Sequence, residues 1–227
     1  HKAIAHVGAS LLEMAKAAAP GSDNQLLFTR FATFYAETEE SADIIEGLFN
    51  GTVKFDGLKL DQDMRWDLIN GLVMSGRFTS AQIDAELAND NTANGAKQAI
   101  LAQKSIPIAE AKKAGWNDIL TNTELSNTDI SFGSLGLVRA HDTSLLEPLV
   151  DWYFDAVLDV WNSRTFKIAE YILENAYPIY LANEALAKKT RQFLELDEVK
   201  QKPALARIIR ENVDALERAL RAQSKDN

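Results

Sequence analysis

Apolar residues return every three or four positions along nearly the whole chain, and little interrupts them. That period gathers them on one side of an α-helix and leaves no place for a sheet of short alternating strands. Turn formers are correspondingly scarce. Eleven glycines and five prolines stand in 227 residues, about 7% of the chain against roughly 12% in an average protein. The expectation is an all-α protein of about eleven helices joined by brief connections.

Ile4, Val7, Leu11 and Met14 line one face of a first helix that stops before Pro20-Gly21. Ser22 and Gln25 have capping-box spacing, in which each side chain satisfies a free N–H of the first turn. The helix they open runs to about Ala36, with Leu27, Phe31, Phe34 and Tyr35 as its core face. Another runs from Glu39 to Asn50 and ends at Gly51. Val53, Phe55, Leu58 and Leu60 alternate around Gly57, but no second strand pattern offers a partner, so Thr52 to Leu60 reads as an extended loop. Met64, Leu68, Ile69, Leu72 and Val73 carry a helix from Asp61 to Gly76. Thr79 with Gln82, and Thr121 with Glu124, repeat the capping-box spacing. Thr92 to Lys104 reads as a helix, and Pro107 suits the first turn of one to Ile119. Asp142 would cap Thr143 to Asn162, the most apolar segment. Arg164 to Ala176, Asn183 to Leu194 and Pro203 to Gln223 complete the series. Antiparallel helix pairs stacked in a row, a superhelical solenoid of the HEAT or armadillo type, fit these lengths better than a four-helix bundle. No strict repeat occurs and no linker divides the chain, so residues 1–227 are expected to form a single α-helical domain.

The formal charge of −9 repels phosphate backbones. The densest basic groups, Lys188, Lys189 and Arg191, and Arg207 with Arg210, alternate with acids, so nucleic acid is no expected partner. No run of 18 apolar residues is present, which removes a membrane as partner. With Glu13 and Lys16 inside a helical pattern, the opening residues do not read as a signal peptide, and a cytoplasmic location is expected. Cysteine is absent, which excludes disulfides, a thiolate nucleophile and Cys-based metal sites. Opening on His1 in place of Met, the chain reads as a piece of something longer.

Catalytic chemistry is sparse. His1 and His6 are five apart, not the four that sets two imidazoles on one helix face around zinc. His141 beside Asp142 reads as a surface imidazole next to a cap. Asp90-Asn91-Thr92-Ala93-Asn94-Gly95 begins like a calcium loop, but position twelve is Leu101, where that loop needs a bidentate Glu. Asp61 and Asp63 precede a helix, where carboxylates complement the dipole. The sequon Asn50-Gly51-Thr52 carries no functional weight without a secretory signal. No nucleophile elbow, phosphate loop or Rossmann fingerprint occurs. Trp152, Tyr153, Phe154 and Trp161 read as a helix core before they read as a ligand cage. No catalytic, cofactor-binding or metal residue is assigned.

Four stretches carry a resemblance: Asp61-Gln-Asp-Met-Arg65-Trp66; Ile83-Asp84-Ala85-Glu86-Leu87 through Asp90–Gly95 to Ala114-Gly-Trp116; Leu149-Val-Asp-Trp-Tyr153-Phe154 with Val160-Trp161; and Asp214-Ala-Leu-Glu-Arg218-Ala-Leu-Arg221-Ala-Gln223. Together, from about Glu13 to Gln223, the chain resembles the C-terminal helical domain of the aminopeptidase N family, zinc aminopeptidases of the gluzincin type, and most closely its actinobacterial members. The resemblance implies a superhelix that covers a catalytic chamber and restricts entry to peptides. It also implies zinc, held through H-E-x-x-H in preceding catalytic domains of the same polypeptide, with a metal-bound water attacking the scissile carbonyl. Neither that motif nor the family's Gly-x-Met-Glu-Asn segment occurs here, so no family site residue maps onto this chain. The parent is expected to remove N-terminal residues from peptides, whereas this fragment alone is expected to be inactive and without cofactor. The alternative is a free-standing helical adaptor that binds a peptide or protein in a concave groove. Arg65, between Met64 and Trp66, is the arginine most suited to face a substrate path; a structural ion pair with Asp61 or a neighbouring helix is the preferred reading.

Overall fold

A computed structural model describes residues 2–225, with every regular element among them helical. The all-α expectation is borne out. Thirteen α-helices appear where about eleven were expected, together with two 3-10 turns, Thr143–Leu146 and Ile179–Leu181. The chain divides into two compact units, one up to Pro107 and one from Ile108 onward.

The first unit holds α1 (Lys2–Ala17), α2 (Asp23–Phe34), α3 (Glu39–Asn50), α4 (Gln62–Met74), α5 (Ser80–Asn89) and α6 (Ala93–Ser105). Consecutive helices pack together, α1 on α2, α3 on α4 and α5 on α6. α4 also touches α2 and α6. Surrounded in this way, it buries Met64, Trp66, Leu68, Ile69, Leu72 and Val73, residues from all around its axis. The 52–60 segment is a loop as expected, and Phe55 from it enters the core.

The core face of the first hairpin differs from expectation. Ile4, Val7 and Met14 of α1, and Leu27 and Phe31 of α2, are exposed. The buried positions are Gly8, Leu12 and Ala15 on α1, and Gln25, Thr29, Ala32 and Thr33 on α2. Small residues win because the backbones come close: a Cβ on Gly8 would lie 2.1 Å from the Tyr35 carbonyl oxygen. The buried polar groups find partners locally. Thr29 Oγ1 donates to the Gln25 carbonyl at 2.8 Å, and Gln25 Nε2 to the Asp56 carbonyl at 2.9 Å.

The second unit holds α7 (Ala109–Thr121), α8 (Asn127–Leu137), α9 (Glu147–Ser163), α10 (Phe166–Asn175), α11 (Glu184–Leu194), α12 (Asp197–Lys200) and α13 (Pro203–Gln223). α7 packs on α8 and α9 on α10, while α13 lies against α10, α11 and α12. Its core gathers Trp116, Tyr153, Phe154, Ile172, Tyr177 and Ile209. At one turn, α12 is too short to print a period in the sequence.

Several boundaries need correction. Ser126, not Thr121, caps α8, and its box partner is Asp129. Thr121 instead closes α7 and donates to the Asn117 carbonyl. Pro107 stands before α7, whose N-cap is Ile108. Asp142 caps the 3-10 turn that precedes α9. Ser22 does accept from Gln25 N–H, but Gln25 Oε1 turns to the N–H of Gly21, so that box is only half closed. Thr79 and Gln82 form theirs in both directions.

Candidate functional site

The residues singled out in the first unit converge on one polar cluster between α4, α5 and the start of α6. Asp61 caps α4, its Oδ1 accepting from Met64 N–H at 2.8 Å. Four residues on, Arg65 turns away from Asp61 and meets Glu86 of α5: Nε donates to Oε1 at 2.8 Å and Nη2 to Oε2 at 2.6 Å. Gln62 Nε2 donates to the same Oε1 at 2.7 Å. Arg65's hydrogen bonds hold the Glu86 carboxyl below its usual range, outweighing the opposite pull of burial.

The next residue, Trp66, donates its indole N–H to Asp90 Oδ2 at 2.8 Å in the core. Asp90 Oδ1 accepts from the Thr92 hydroxyl at 2.7 Å, and Thr92 caps α6 through Gly95 N–H at 3.0 Å. The 90–95 segment is thus a junction of two helices, with the Asp90 carboxylate bonded to Trp66 and Thr92. Asp63 accepts from Asn94 Nδ2 at 3.0 Å. A hollow of about 220 Å³ opens between the starts of α2 and α4, lined by Gly21, Ser22, Gln25, Gly57, Lys59 and Asp61. Gln25 Oε1 and Nε2 and Asp61 Oδ1 are engaged in the bonds described above.

In the second unit the aromatic group of α9 is core. Tyr153 is fully buried, packed edge-on against Phe154 and Tyr177 at 5.3 and 5.5 Å between centroids. Its hydroxyl donates to the Leu173 carbonyl at 2.7 Å and accepts from Asn212 Nδ2 at 3.2 Å. Trp152 and Trp161 pack against the same core half-buried. Three basic residues flagged for clustering face carboxylates: Lys189 meets Asp151, Arg191 meets Glu217 at 2.5 Å, and Arg207 meets Glu211 at 3.2 Å.

Lys112 escaped the sequence reading. Only 2% exposed, it donates from Nζ to the carbonyls of Gly136 at 3.2 Å and Arg139 at 2.7 Å, closing the C-terminal end of α8. Burial, with the Arg139 charge nearby, pushes its ammonium down to about 7. The signal was its place on the apolar face of α7, with Trp116 and Ile119.

His6 is exposed on α1, His141 is half-buried ahead of the Asp142 cap, and His1 lies outside the described residues. Among the described residues no three His, Asp or Glu side chains gather in a metal-ligating group. The donor set therefore does not fit a zinc centre, and no metal step is derived for these residues. Nor is any described helix long and apolar enough to cross a membrane.

Comparison with known proteins adds what the side chains do not supply. The family described as the ERAP1-like C-terminal domain matches residues 2–218. A protein named Aminopeptidase N from Streptomyces lividans is 33% identical over 211 residues, which cover 93% of this chain and 24% of that protein. The chain thus spans about a quarter of the length of the relative it matches.

Proposed function

The chain belongs to the ERAP1-like C-terminal domain family, and on that premise we propose that it is the helical C-terminal domain of a zinc-dependent aminopeptidase N. In this reading residues 1–227 form one domain that caps the catalytic chamber and controls which peptides enter. The parent enzyme removes N-terminal residues from peptides, and its preceding catalytic domains hold the zinc. Those domains and the peptide substrates are the partners of this chain.

The observation that carries the reading is the family match over residues 2–218, with 33% identity to a protein named Aminopeptidase N. The internal chemistry supports it. Arg65 with Glu86, Trp66 with Asp90, and Tyr153 with Leu173 hold helices together through their polar groups, a structural use of side chains that suits a wall. The pairwise packing of α1 on α2, α3 on α4, α5 on α6, α7 on α8 and α9 on α10 supports a HEAT-like array. A cytoplasmic location belongs to the same reading and accords with a cysteine-free chain.

The test uses the polypeptide encoded by the complete reading frame. It should contain H-E-x-x-H ahead of this segment, hold one zinc and cleave aminoacyl anilides. Deleting this segment from a still folded enzyme should change KM for long peptides far more than for anilides. A complete polypeptide without that motif and without aminopeptidase activity would leave the helical adaptor as the reading.

A further inference from the structure

Asn-Gly occurs three times, at Asn50-Gly51, Asn70-Gly71 and Asn94-Gly95. With no Cβ on the second residue, its backbone nitrogen can reach the amide carbon of the asparagine before it, so each pair is a candidate for spontaneous ring closure. The fold treats the three differently. Asn70 and Gly71 are buried inside α4, and a Cβ on Gly71 would lie 2.5 Å from the Thr33 carbonyl oxygen. Gly95 is buried in the first turn of α6, pressed against the Asp90 carbonyl, and its N–H is spent on Thr92 Oγ1 at 3.0 Å. Neither backbone can turn without opening a helix.

Asn50-Gly51 stands at the C-terminal end of α3, where both residues are exposed. Nothing lies within 4 Å of the place a Gly51 Cβ would take, so water reaches this peptide unit. Rotating the Asn50 main chain toward ring closure disturbs only the last turn of the helix, the part that frays most readily. The amide itself is already polarised. Asn50 Oδ1 accepts from Thr52 N–H at 3.0 Å and from the Thr52 hydroxyl at 2.7 Å. Two donors on one carbonyl oxygen are what an oxyanion needs as it forms.

We propose that Asn50 is a self-modification site that loses ammonia through a cyclic imide formed with Gly51 and ends as aspartate or isoaspartate. A solvent base takes the Gly51 N–H proton as the nitrogen attacks Asn50 Cγ, and the carbonyl electron pair moves onto Oδ1, under the two Thr52 donors. The pair returns, the Cγ–Nδ2 bond breaks, and solvent gives a proton to Nδ2, which leaves as ammonia. Water then adds to the ring: opening at Cγ gives aspartate, and opening at the Asn50 main-chain carbon gives isoaspartate. In sum, one water is consumed and one ammonia released. Either product sets a negative charge at the C-terminal end of α3, where the helix dipole opposes it. Isoaspartate also lengthens the main chain by one carbon between Gly47 and Val53. Val53 N–H donates to the Gly47 carbonyl at 2.9 Å, and its side chain packs on the core.

Incubation of the full-length polypeptide in mildly alkaline buffer, read by peptide-mapping mass spectrometry with enzymatic methylation of isoaspartate, tests this. Aspartate and isoaspartate should accumulate together at position 50, at least about tenfold faster than at Asn70 or Asn94, which must wait for local opening of a helix. In the urea-unfolded polypeptide the three sites should convert at similar rates. Thr52→Ala removes one of the two donors and should slow conversion of Asn50 in the folded protein about fivefold, and Thr52→Ser should restore it. Aspartate without isoaspartate, which means direct hydrolysis, overturns the inference. So does conversion at Asn70 or Asn94 that keeps pace with Asn50, or a Thr52→Ala variant that converts as fast as the wild type. Asn50 still intact long after the unfolded control has converted overturns it as well. None of these readouts involves peptide cleavage by the protein, so their outcome is independent of the aminopeptidase reading.

Discussion

Arg65 and Glu86 face each other fork to fork across α4 and α5, with hydrogen bonds of 2.8 and 2.6 Å. The acid's side chain is 4% exposed and the arginine's 30%. The guanidinium also lies 4.5 Å from the Phe49 ring centroid, so three helices meet on one side chain. The edge of Arg65 that could clamp a peptide carboxylate is the edge that Glu86 occupies.

Arg65→Ala should therefore destabilise this chain and leave peptide selection alone. Removing one partner of a buried pair strands the other charge, a loss of 3–5 kcal/mol when both are fully enclosed. Gln62 remains on Glu86 and Arg65 is partly solvated, so about 2 kcal/mol is expected. Urea titration measures it. A rise in KM confined to long peptides, with no loss of stability, would return Arg65 to the substrate path.

The same pair sets an acid dependence. Glu86 has its carboxyl pKa lowered from 4.5, chiefly by Arg65's hydrogen bonds. A carboxylate held below its unfolded value stabilises the fold above that value, and the contribution fades as pH falls past it. Between pH 6 and pH 3, Glu86→Gln should lose less stability than the wild type, starting from a lower value. Parallel losses in the two proteins would show that this carboxylate does not govern the acid limb.

Lys112 works in the other direction. Its ammonium titrates at about 7 in the fold and near 10.5 when unfolded. Between those values the unfolded chain binds the extra proton, so stability rises with pH from about 7 toward 10 and is lowest, from this group, below 7. Lys112→Met removes the titration and two hydrogen bonds to the end of α8. Guanidinium unfolding at pH 7, 8.5 and 10 should show the wild type gaining on the Met variant. A constant difference across that range would mean that the ammonium keeps its proton.

Where the structure followed the sequence, the deciding signal was local. Thr79 and Gln82 form their capping box as read because a cap depends on three or four consecutive residues. Arg65's partner was legible only as an ion pair, since Glu86 lies 21 positions away on the next hairpin. The first hairpin was misread because periodicity finds the most apolar flank, whereas α2 buries its small and hydroxyl-bearing flank, where backbones can approach. Lys112 and Lys113 look alike in sequence. Only the 112, 116, 119 spacing with Trp116 and Ile119 separates the buried lysine from its exposed neighbour.

Gly71 gives the sharpest test of that close packing. It sits inside α4, where exchange for Ala ordinarily favours a helix by about 1 kcal/mol. Here the added Cβ would stand 2.5 Å from the Thr33 carbonyl oxygen of α2 and 3.1 Å from the Thr33 carbon. The obstacle is backbone, which no side-chain rotation can clear, so α2 and α4 must separate by several tenths of an ångström. Overpacking of this kind costs about 1–3 kcal/mol, enough to reverse the propensity gain. Gly71→Ala should accordingly lower the denaturant midpoint with an unchanged slope. Gly51→Ala makes a control of different origin: its Cβ meets nothing within 4 Å, and only its φ of 81° resists the change. Gly71→Ala should also perturb amide exchange in α2 around Thr33, which Gly51→Ala should leave untouched. A stabilising Gly71→Ala would show that α2 and α4 are further apart than this contact requires.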